Sequence, residues 1–238
     1  MAGRPPAVTD FEIALAIGRA RRETGDPVAT TGEIADRVPI KREGVGRRLN
    51  AMAETGLVDR KQVGRSYIWW LTAEVRTALQ PYLHEDAAPS DADARIRELF
   101  SVGRDRFDLE IGAIARIDAD RDHFELERVN DPIPGFGPGD EFPLSETYCQ
   151  TTAVERGPAS VDDPSAAGLA DSLVHTDLGF ETYLGTFLDV RGDSDRTFFF
   201  VSTEPRADPF TQTDRAYHDL LGQGAKLELQ DRYSPIRG

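Results

Sequence analysis

The stretch TTGEIADRVPIKREGVGRRLNAMAETGLVDRKQVGRSYIWWLT, residues 30–72, carries the strongest structural signal in the chain. Thr30 and Glu33 have the spacing of a capping box, in which each side chain accepts a backbone N–H at the start of a helix. We therefore predict a short helix over residues 32–38. Pro39 stops this helix, because the residue before a proline avoids helical geometry.

A longer helix and a β-hairpin follow the short helix. The helix is predicted over residues 40–54, and Gly56 closes it. Residues 57–61 and 66–71 are then two short strands, joined by a tight turn over residues 62–65. Two helices and a hairpin therefore occur in that order within one basic stretch of sequence.

The flanking sequence adds a helix on each side. Apolar residues recur at helical spacing over residues 10–22, and Thr72 is predicted to cap a helix that ends before Pro81. Residues 8–80 resemble the winged helix-turn-helix domains of MarR/ArsR-like transcription regulators, in which a segment such as ETGLV (residues 54–58) leads into the wing. The resemblance implies a domain that binds double-stranded DNA.

Charge is divided unevenly along the chain. Residues 1–80 hold 13 Lys and Arg against 10 Asp and Glu, whereas residues 81–238 hold 15 against 32. Residues 41–65 contain seven of the basic side chains. A basic segment on a protein of formal net charge −14 indicates a polyanion-binding surface, and the acidic remainder is excluded from that role.

The longer helix separates its residues into two faces. Val45, Leu49 and Met52 fall within one arc at helical spacing and are predicted to face the core. Arg47 and Asn50 lie on the opposite side. Their side chains pair bidentately with guanine and adenine edges in the major groove, so we expect them to read bases.

The predicted DNA-binding residues are two base-reading side chains, three phosphate-binding side chains beside them and three basic residues at the hairpin. They are Arg47 and Asn50; Lys41, Arg42 and Arg48; and Arg60, Lys61 and Arg65. Gly44 and Gly46 each weaken a helix by about 1 kcal/mol relative to alanine. Close approach of a DNA backbone and a frayed helix start both explain these two glycines.

The rest of the chain has a different pattern. Residues 81–90, which include HEDAAPS (residues 84–90), are predicted to be a linker. A helix capped by Ser90, several alternating strands and a closing helix then follow. The predicted strands are residues 111–118, 123–130 and 159–161 and a hairpin about residues 191–195, and the predicted helices are residues 91–107, 146–155 (capped by Ser145) and 211–230.

Residues 91–233 resemble a GAF domain, a sensor module related to PAS domains. The resemblance lies in FPLSETYCQTTAVERGPASVDD (residues 142–163), GFETYLGTFLDV (residues 179–190) and TFFFVSTEPRADPFTQTDRAYHDLL (residues 197–221). Such segments are similar to the GAF modules of archaeal regulators of the bacterio-opsin activator type. The expected fold class is therefore α+β with two domains, a winged helix-turn-helix followed by a GAF/PAS-like antiparallel sheet with flanking helices.

By this resemblance a ligand pocket lies between the central sheet and residues 148–179. The expected lining residues are Tyr148, Cys149, Thr152, His175, Phe180 and Tyr183. Burial as a small apolar side chain is the alternative for Cys149, and a surface position is the alternative for His175. Because Glu146 is the nearest charged neighbour of Cys149, we expect a buried, unreactive thiol.

Composition excludes several other classes of protein. Cys149 is the only cysteine, which rules out an intrachain disulfide and Cys₄ or Cys₂His₂ zinc sites, and no catalytic motif is present. No apolar run is long enough to span a membrane, so we expect a cytoplasmic protein. The 25 Arg and 3 Lys on a very acidic chain resemble proteins of salt-accumulating halophilic archaea.

These observations favour a one-component transcription regulator that binds DNA as a homodimer. Its GAF-like domain would sense a small ligand, a partner or a redox signal, and no cofactor is required by the sequence. One alternative is a protein-interaction adaptor whose winged helix binds no DNA. The other is an enzyme on the GAF scaffold, for which a second thiol would have to come from outside the chain.

Overall fold

The capping box predicted at Thr30 is present in the computed structural model, which describes residues 8–83, 91–190 and 194–233. The backbone N–H of Thr30 donates to Glu33 Oε2 at 2.7 Å, and that of Glu33 donates to Thr30 Oγ1 at 3.3 Å. An equivalent box joins Thr9 and Glu12 at the first helix. Each box satisfies two backbone donors that a helix start leaves without intrahelical partners.

The chain divides into two compact units, Met1–Ser90 and Asp91–Gly238. The first unit consists of four helices and a three-stranded antiparallel sheet in the order β1-β3-β2. Its elements are α1 (Asp10–Thr24), β1 (Ala29–Thr30), α2 (Thr31–Ala35), α3 (Arg42–Glu54), β2 (Val58–Val63), β3 (Ser66–Leu71) and α4 (Ala73–Leu83).

Helix α2 is shorter than predicted. It ends at Ala35 rather than continuing to residue 38. The Arg37 guanidinium donates to the carbonyl oxygen of Glu33 at 2.5 Å, which occupies an acceptor that a further helical turn would use. The prediction placed the end of the helix at Pro39 and missed this side-chain contact.

Helix α4 is longer than predicted, because it continues through Pro81 to Leu83. Two contacts with α1 hold its last turn. The rings of Tyr82 and Phe11 meet edge to face with centroids 5.0 Å apart, and Leu83 packs at Gly18, where a Cβ would collide with it. The start of the predicted linker, residues 81–83, is therefore helical, and residues 84–90 lie outside the described residues.

The second unit is a six-stranded antiparallel sheet in the order β6-β5-β4-β9-β8-β7, with helices on both faces. Its strands are β4 (Ile111–Asp118), β5 (His123–Val129), β6 (Glu141–Pro143), β7 (Ala159–Val161), β8 (Thr182–Leu188) and β9 (Arg196–Ser202). Its helices are α5 (Ala92–Phe107), α6 (Cys149–Glu155), α7 (Leu173–Thr176) and α8 (Gln212–Tyr233). The predicted α+β class is confirmed.

Strand β9 contributes phenylalanine side chains to the apolar core on each face of the sheet. Phe198 and Phe200 face α5 and α8, and the centroids of Phe198 and the Phe100 ring of α5 lie 5.5 Å apart. Phe199 faces the other side, with its centroid 5.8 Å from that of Tyr183. This arrangement follows from the two-residue period of a strand, which places alternate side chains on opposite faces.

Two predicted helix starts were wrong. Asp91, not Ser90, caps α5, since its Oδ1 accepts the backbone N–H of Ala94 at 2.7 Å. Ser145 does not cap the next helix, because its N–H and Oγ bind the carboxylate of Asp122 at 2.7 and 2.8 Å. A short 3₁₀ turn occupies Leu144–Glu146, and α6 begins at Cys149.

Candidate functional site

The faces of α3 are arranged as its sequence predicts. Val45 and Leu49 are completely buried. Lys41, Arg42 and Arg47 are exposed to solvent. Because the apolar arc fixes the rotation of the helix, these three cations are left available to an outside partner.

Arg48 differs from the other cations of α3. Its Nε donates to Asp10 Oδ1 at 2.9 Å, and its Nη2 binds the same oxygen. The prediction placed Arg48 among the phosphate-binding residues. The structure instead pairs it with the first residue of α1, so its charge is balanced within the first unit.

The hairpin presents two further exposed cations near its tip. Register is continuous from Val58 opposite Leu71 to Val63 opposite Ser66. The turn is tighter than predicted, and Gly64 adopts φ +61°, a backbone conformation that favours glycine. Lys61 and Arg65 are both exposed beside this turn.

Arg60 is held between the hairpin and α3. Its Nη1 donates to Asn50 Oδ1. The guanidinium carbon lies 5.0 Å from the Tyr67 ring centroid and 5.7 Å from that of Trp69. Tyr67 and Trp69 are not among the residues that were predicted to contact DNA. The hairpin pairing could have predicted this contact, because it places Arg60 opposite Trp69 and on the face of the sheet that Trp69 shares with Tyr67.

The two glycines of α3 have room for a side chain within the first unit. A Cβ at Gly44 would lie 3.7 Å from Ile40, and a Cβ at Gly46 would lie 3.8 Å from Thr31. These are ordinary van der Waals distances. Internal packing therefore does not require glycine at either position.

The second unit contains a cavity at the position expected for a ligand pocket. It lies between the sheet and the segment that carries α6 and α7. Four of the predicted residues line the cavity, and the other lining side chains come from strands of the sheet and from the loops that connect them. The predicted four are Tyr148, Cys149, Phe180 and Tyr183, and the others include Phe124, Phe136, Val174 and Phe199.

Side chains fill nearly all of this cavity. Its volume is about 10 Å³, at the lower limit for one water molecule. The Tyr148 hydroxyl donates to the Phe180 carbonyl at 2.5 Å, which fastens the segment containing α6 to the start of β8. A ligand larger than a water molecule would have to displace aromatic side chains.

Thr152 and His175 do not line the cavity. Thr152 is buried behind it, where its Oγ1 lies 3.1 Å from the Tyr183 hydroxyl. His175 is half-buried, with Nδ1 3.1 Å from the Phe180 carbonyl oxygen. The predicted pocket therefore includes two residues that contact its wall rather than its interior.

Cys149 is buried, as expected, with 2% of its surface exposed. Burial raises the pKa of its thiol to about 12, and hydrogen bonds such as that from the Tyr183 hydroxyl, 3.7 Å from Sγ, oppose this shift only in part. Burial also raises the pKa of Tyr183 and that of Tyr148. All three groups are neutral near pH 7, so none is a ready nucleophile.

A larger groove lies between α5 and β5. Its volume is about 550 Å³, and its walls carry Asp93 and Arg128, whose side chains pair at 3.1 Å. No motif or periodicity in the sequence predicted the groove between α5 and β5.

Glu127, which also lies on β5, accepts from Arg196 Nε at 2.6 Å and from Arg116 at 3.1 Å. Arg196 is completely buried, so Glu127 neutralises a charge that water does not reach.

In residues 8–83, 91–190 and 194–233, no group of three or more His, Cys, Asp or Glu side chains is arranged to hold a metal ion. Over the same ranges, no helix combines the length and the apolar character that a membrane span needs.

Comparison with solved structures identifies the fold of the second unit. The GAF domain of a phosphoenolpyruvate-protein phosphotransferase from Coxiella burnetii superposes with a TM-score of 0.51 and 14% identity, covering 66% of this chain and 93% of that one. The GAF domain of the corresponding Acinetobacter protein gives 0.50 and 10%, covering 68% and 96%. The second unit has the fold of a GAF domain. No protein-family model and no curated protein matches the sequence.

In this GAF domain the apolar core fills most of the space between the sheet and α6. Phe136, Phe180 and Phe199 form one aromatic group, with the Phe136 and Phe180 centroids 5.2 Å apart. The cavity lined by Tyr148, Cys149 and Tyr183 offers neither charge nor a reactive thiol. Its chemistry therefore suits a small apolar ligand and disfavours a charged one.

Proposed function

We propose that this chain is a cytoplasmic transcription regulator, in which a winged helix-turn-helix over residues 8–80 binds double-stranded DNA and the GAF domain supplies the signal. The supporting observation is the set of exposed cations on one helix and one hairpin of the first unit. They are Lys41, Arg42 and Arg47 at the start and on the exposed side of α3, and Arg60, Lys61 and Arg65 on the hairpin.

The order of elements supports this proposal. The sequence α1-β1-α2-α3-β2-β3, with sheet order β1-β3-β2, is the order of a winged helix. In such domains the third helix enters the major groove, and the hairpin reaches the neighbouring backbone or minor groove. The exposed cations that support the proposal lie on those two elements or directly beside them.

The number of exposed cations sets the expected salt dependence. If Lys41, Arg42, Lys61 and Arg65 each neutralise one phosphate, log K should fall with log[salt] at a slope of about −3.6 per subunit. A homodimer would double the contacts and match the two-fold symmetry of a duplex operator. We propose this dimer because the acidic composition is suited to a salt-rich cytoplasm, in which one subunit would bind weakly.

For the GAF domain we propose sensing of a small apolar ligand. The filled aromatic cavity and the neutral Cys149 thiol argue against a redox signal. Such a ligand would have to open the contact between Tyr148 and the Phe180 carbonyl. That opening would change the position of α6 relative to β8, which gives the domain a means of transmitting the signal.

The proposal is tested by DNA binding of the full chain over a range of KCl concentrations. A labelled random-sequence duplex measures the general affinity by fluorescence anisotropy. Replacing Arg42 or Lys61 with alanine should weaken binding and reduce the salt slope by about 1 each. Arg76→Ala, which removes an exposed arginine of α4, is the matched control and should change neither.

A wild-type chain that binds no duplex at any salt concentration would refute the regulator and favour the protein-interaction adaptor. Equal losses in all three variants would show that binding follows net charge rather than the surface of α3 and the hairpin. Analytical ultracentrifugation of the same samples tests the homodimer, since the proposal requires two copies on each specific site.

A further inference from the structure

The contact between Arg60 and Asn50 links the hairpin to the base-facing side of α3. Arg60 Nη1 donates to Asn50 Oδ1, and the guanidinium stacks near the rings of Tyr67 and Trp69. Trp69 is itself fixed, since it is 1% exposed and its Nε1 donates to Thr31 Oγ1 at 2.9 Å. Arg60 is therefore held by the hairpin at the position where it binds Asn50.

The chemistry of this contact fixes the orientation of the Asn50 amide. A guanidinium has five N–H donors and no acceptor, so only the amide oxygen of Asn50 can face it. The amide nitrogen is then directed to the other side of the same planar group. Within residues 8–83 that nitrogen has no hydrogen-bond partner in the structure, and it retains two donor hydrogens.

This orientation changes what Asn50 can recognise. A bidentate contact with adenine uses the amide oxygen to accept from N6 and the amide nitrogen to donate to N7. Here Arg60 occupies one of the two acceptor positions of that oxygen and turns it toward the hairpin, which leaves the amide nitrogen as the group without a partner. Asn50 therefore presents a donor, which suits the acceptors of guanine (N7 and O6) or thymine (O4) and opposes the amino groups of adenine and cytosine.

We propose that Arg60 is a positioning residue that makes Asn50 a hydrogen-bond donor to a guanine or thymine edge. This inference rests on the proposed DNA-binding function and refines the sequence-based expectation that Asn50 pairs with adenine. Arg47 lies one helical turn before Asn50 and is exposed, so the base it contacts is next to the one that Asn50 reads.

The experiment selects preferred sequences for the full chain from a library of randomised duplexes and then measures affinities for single-base variants of the winner. Wild type should prefer guanine or thymine over adenine by about fivefold to tenfold at one position, the worth of one hydrogen bond. Asn50→Ala should abolish the preference at that position and leave the others unchanged.

Arg60→Ala frees the amide oxygen of Asn50 and should shift the preference at that same position toward adenine. Arg60→Lys retains a donor to that oxygen and should keep the wild-type preference. Lys61→Ala, on the outward face of the same strand, should weaken binding to every sequence equally. If Arg60→Ala unfolds, Arg60→Met preserves the apolar stem against Tyr67 while removing the donors, and should show the same shift.

The outcomes separate the inference from the proposed function. A wild-type preference for adenine that depends on Asn50 would overturn the inference. An Arg60→Ala variant that loses affinity for all sequences without a shift in base preference would also overturn it, and both results would leave DNA binding intact. Absence of binding to any duplex would refute the proposed function and, with it, the inference.

Discussion

His218 on α8 provides a direct test of how burial of one side chain controls the pH dependence of stability. The residue is completely buried, and neither ring nitrogen has a hydrogen-bond partner among the described residues. Its neighbours are the rings of Phe107, Phe198 and Phe200, with centroids at 5.8, 5.5 and 5.6 Å. Burial in this apolar surrounding lowers its pKa to about 3.

The sign and size of the effect follow from this pKa. When the pH falls below 6.5, the unfolded chain binds a proton at His218 before the folded protein does, so stability decreases. Between pH 7 and pH 5 the loss from this residue is about 2 kcal/mol. The value is set by the ordinary pKa of the unfolded state, because the folded pKa lies far below 5.

The assay is urea unfolding followed by far-UV circular dichroism at pH 7 and pH 5, in one fixed salt concentration. His218→Leu removes the titrating group, so it should lose about 2 kcal/mol less stability than wild type between the two pH values. At pH 7 it should be at least as stable as wild type, since a buried unpaired polar group is replaced by an apolar one.

Leu221→Ala, which removes buried apolar atoms from the same helix and no titrating group, is the control and should lower stability equally at pH 7 and pH 5. Wild type and His218→Leu losing the same stability between pH 7 and pH 5 would refute the argument. That result would mean that His218 accepts its proton in the folded state without cost, and hence that water or a charge reaches it.

Three other predictions concern the GAF domain. Glu127→Ala removes the carboxylate that binds the buried Arg196 guanidinium and should lower the free energy of unfolding by about 3–5 kcal/mol. Glu125→Ala, which breaks a partly exposed ion pair with Arg116, should lower it by no more than about 1 kcal/mol. Gly103→Ala places a Cβ inside the contact distance of a completely buried phenylalanine of β9 and should cost about 1–3 kcal/mol in the same urea assay. Cys149 should resist a thiol reagent at pH 7 in the native protein and react at once in denaturant, and rapid native labelling would show that the cavity opens to solvent.

Much of the local structure was predictable because it depends on neighbours in sequence. The capping box of Thr30 and Glu33 and the buried arc of Val45, Leu49 and Met52 follow from three- and four-residue spacings. The alternation of β9 follows from a period of two. Where the local prediction was wrong, at the starts of α5 and α6, a neighbouring aspartate supplied or took the capping interaction.

The candidate sites were predicted less completely, since they depend on residues that are distant in sequence. The sequence named Arg48 and Arg60 as DNA contacts from their charge and location alone. It contained no information that Asp10 would pair with Arg48, or that Asn50 would accept from Arg60. Four of the six predicted pocket residues line the cavity, and the remaining two lie outside it.

By itself the sequence determined the α+β class, the basic segment on an acidic chain, and the faces of α3 and β9, because charge and periodicity are properties of the chain. Only the tertiary structure decided which cations stay exposed, how the Asn50 amide is oriented, that side chains fill the GAF cavity, and that His218 is buried among aromatic rings. The physical reason is that hydrogen bonding and desolvation depend on the atoms that packing brings together, and those atoms come from separate elements of the chain.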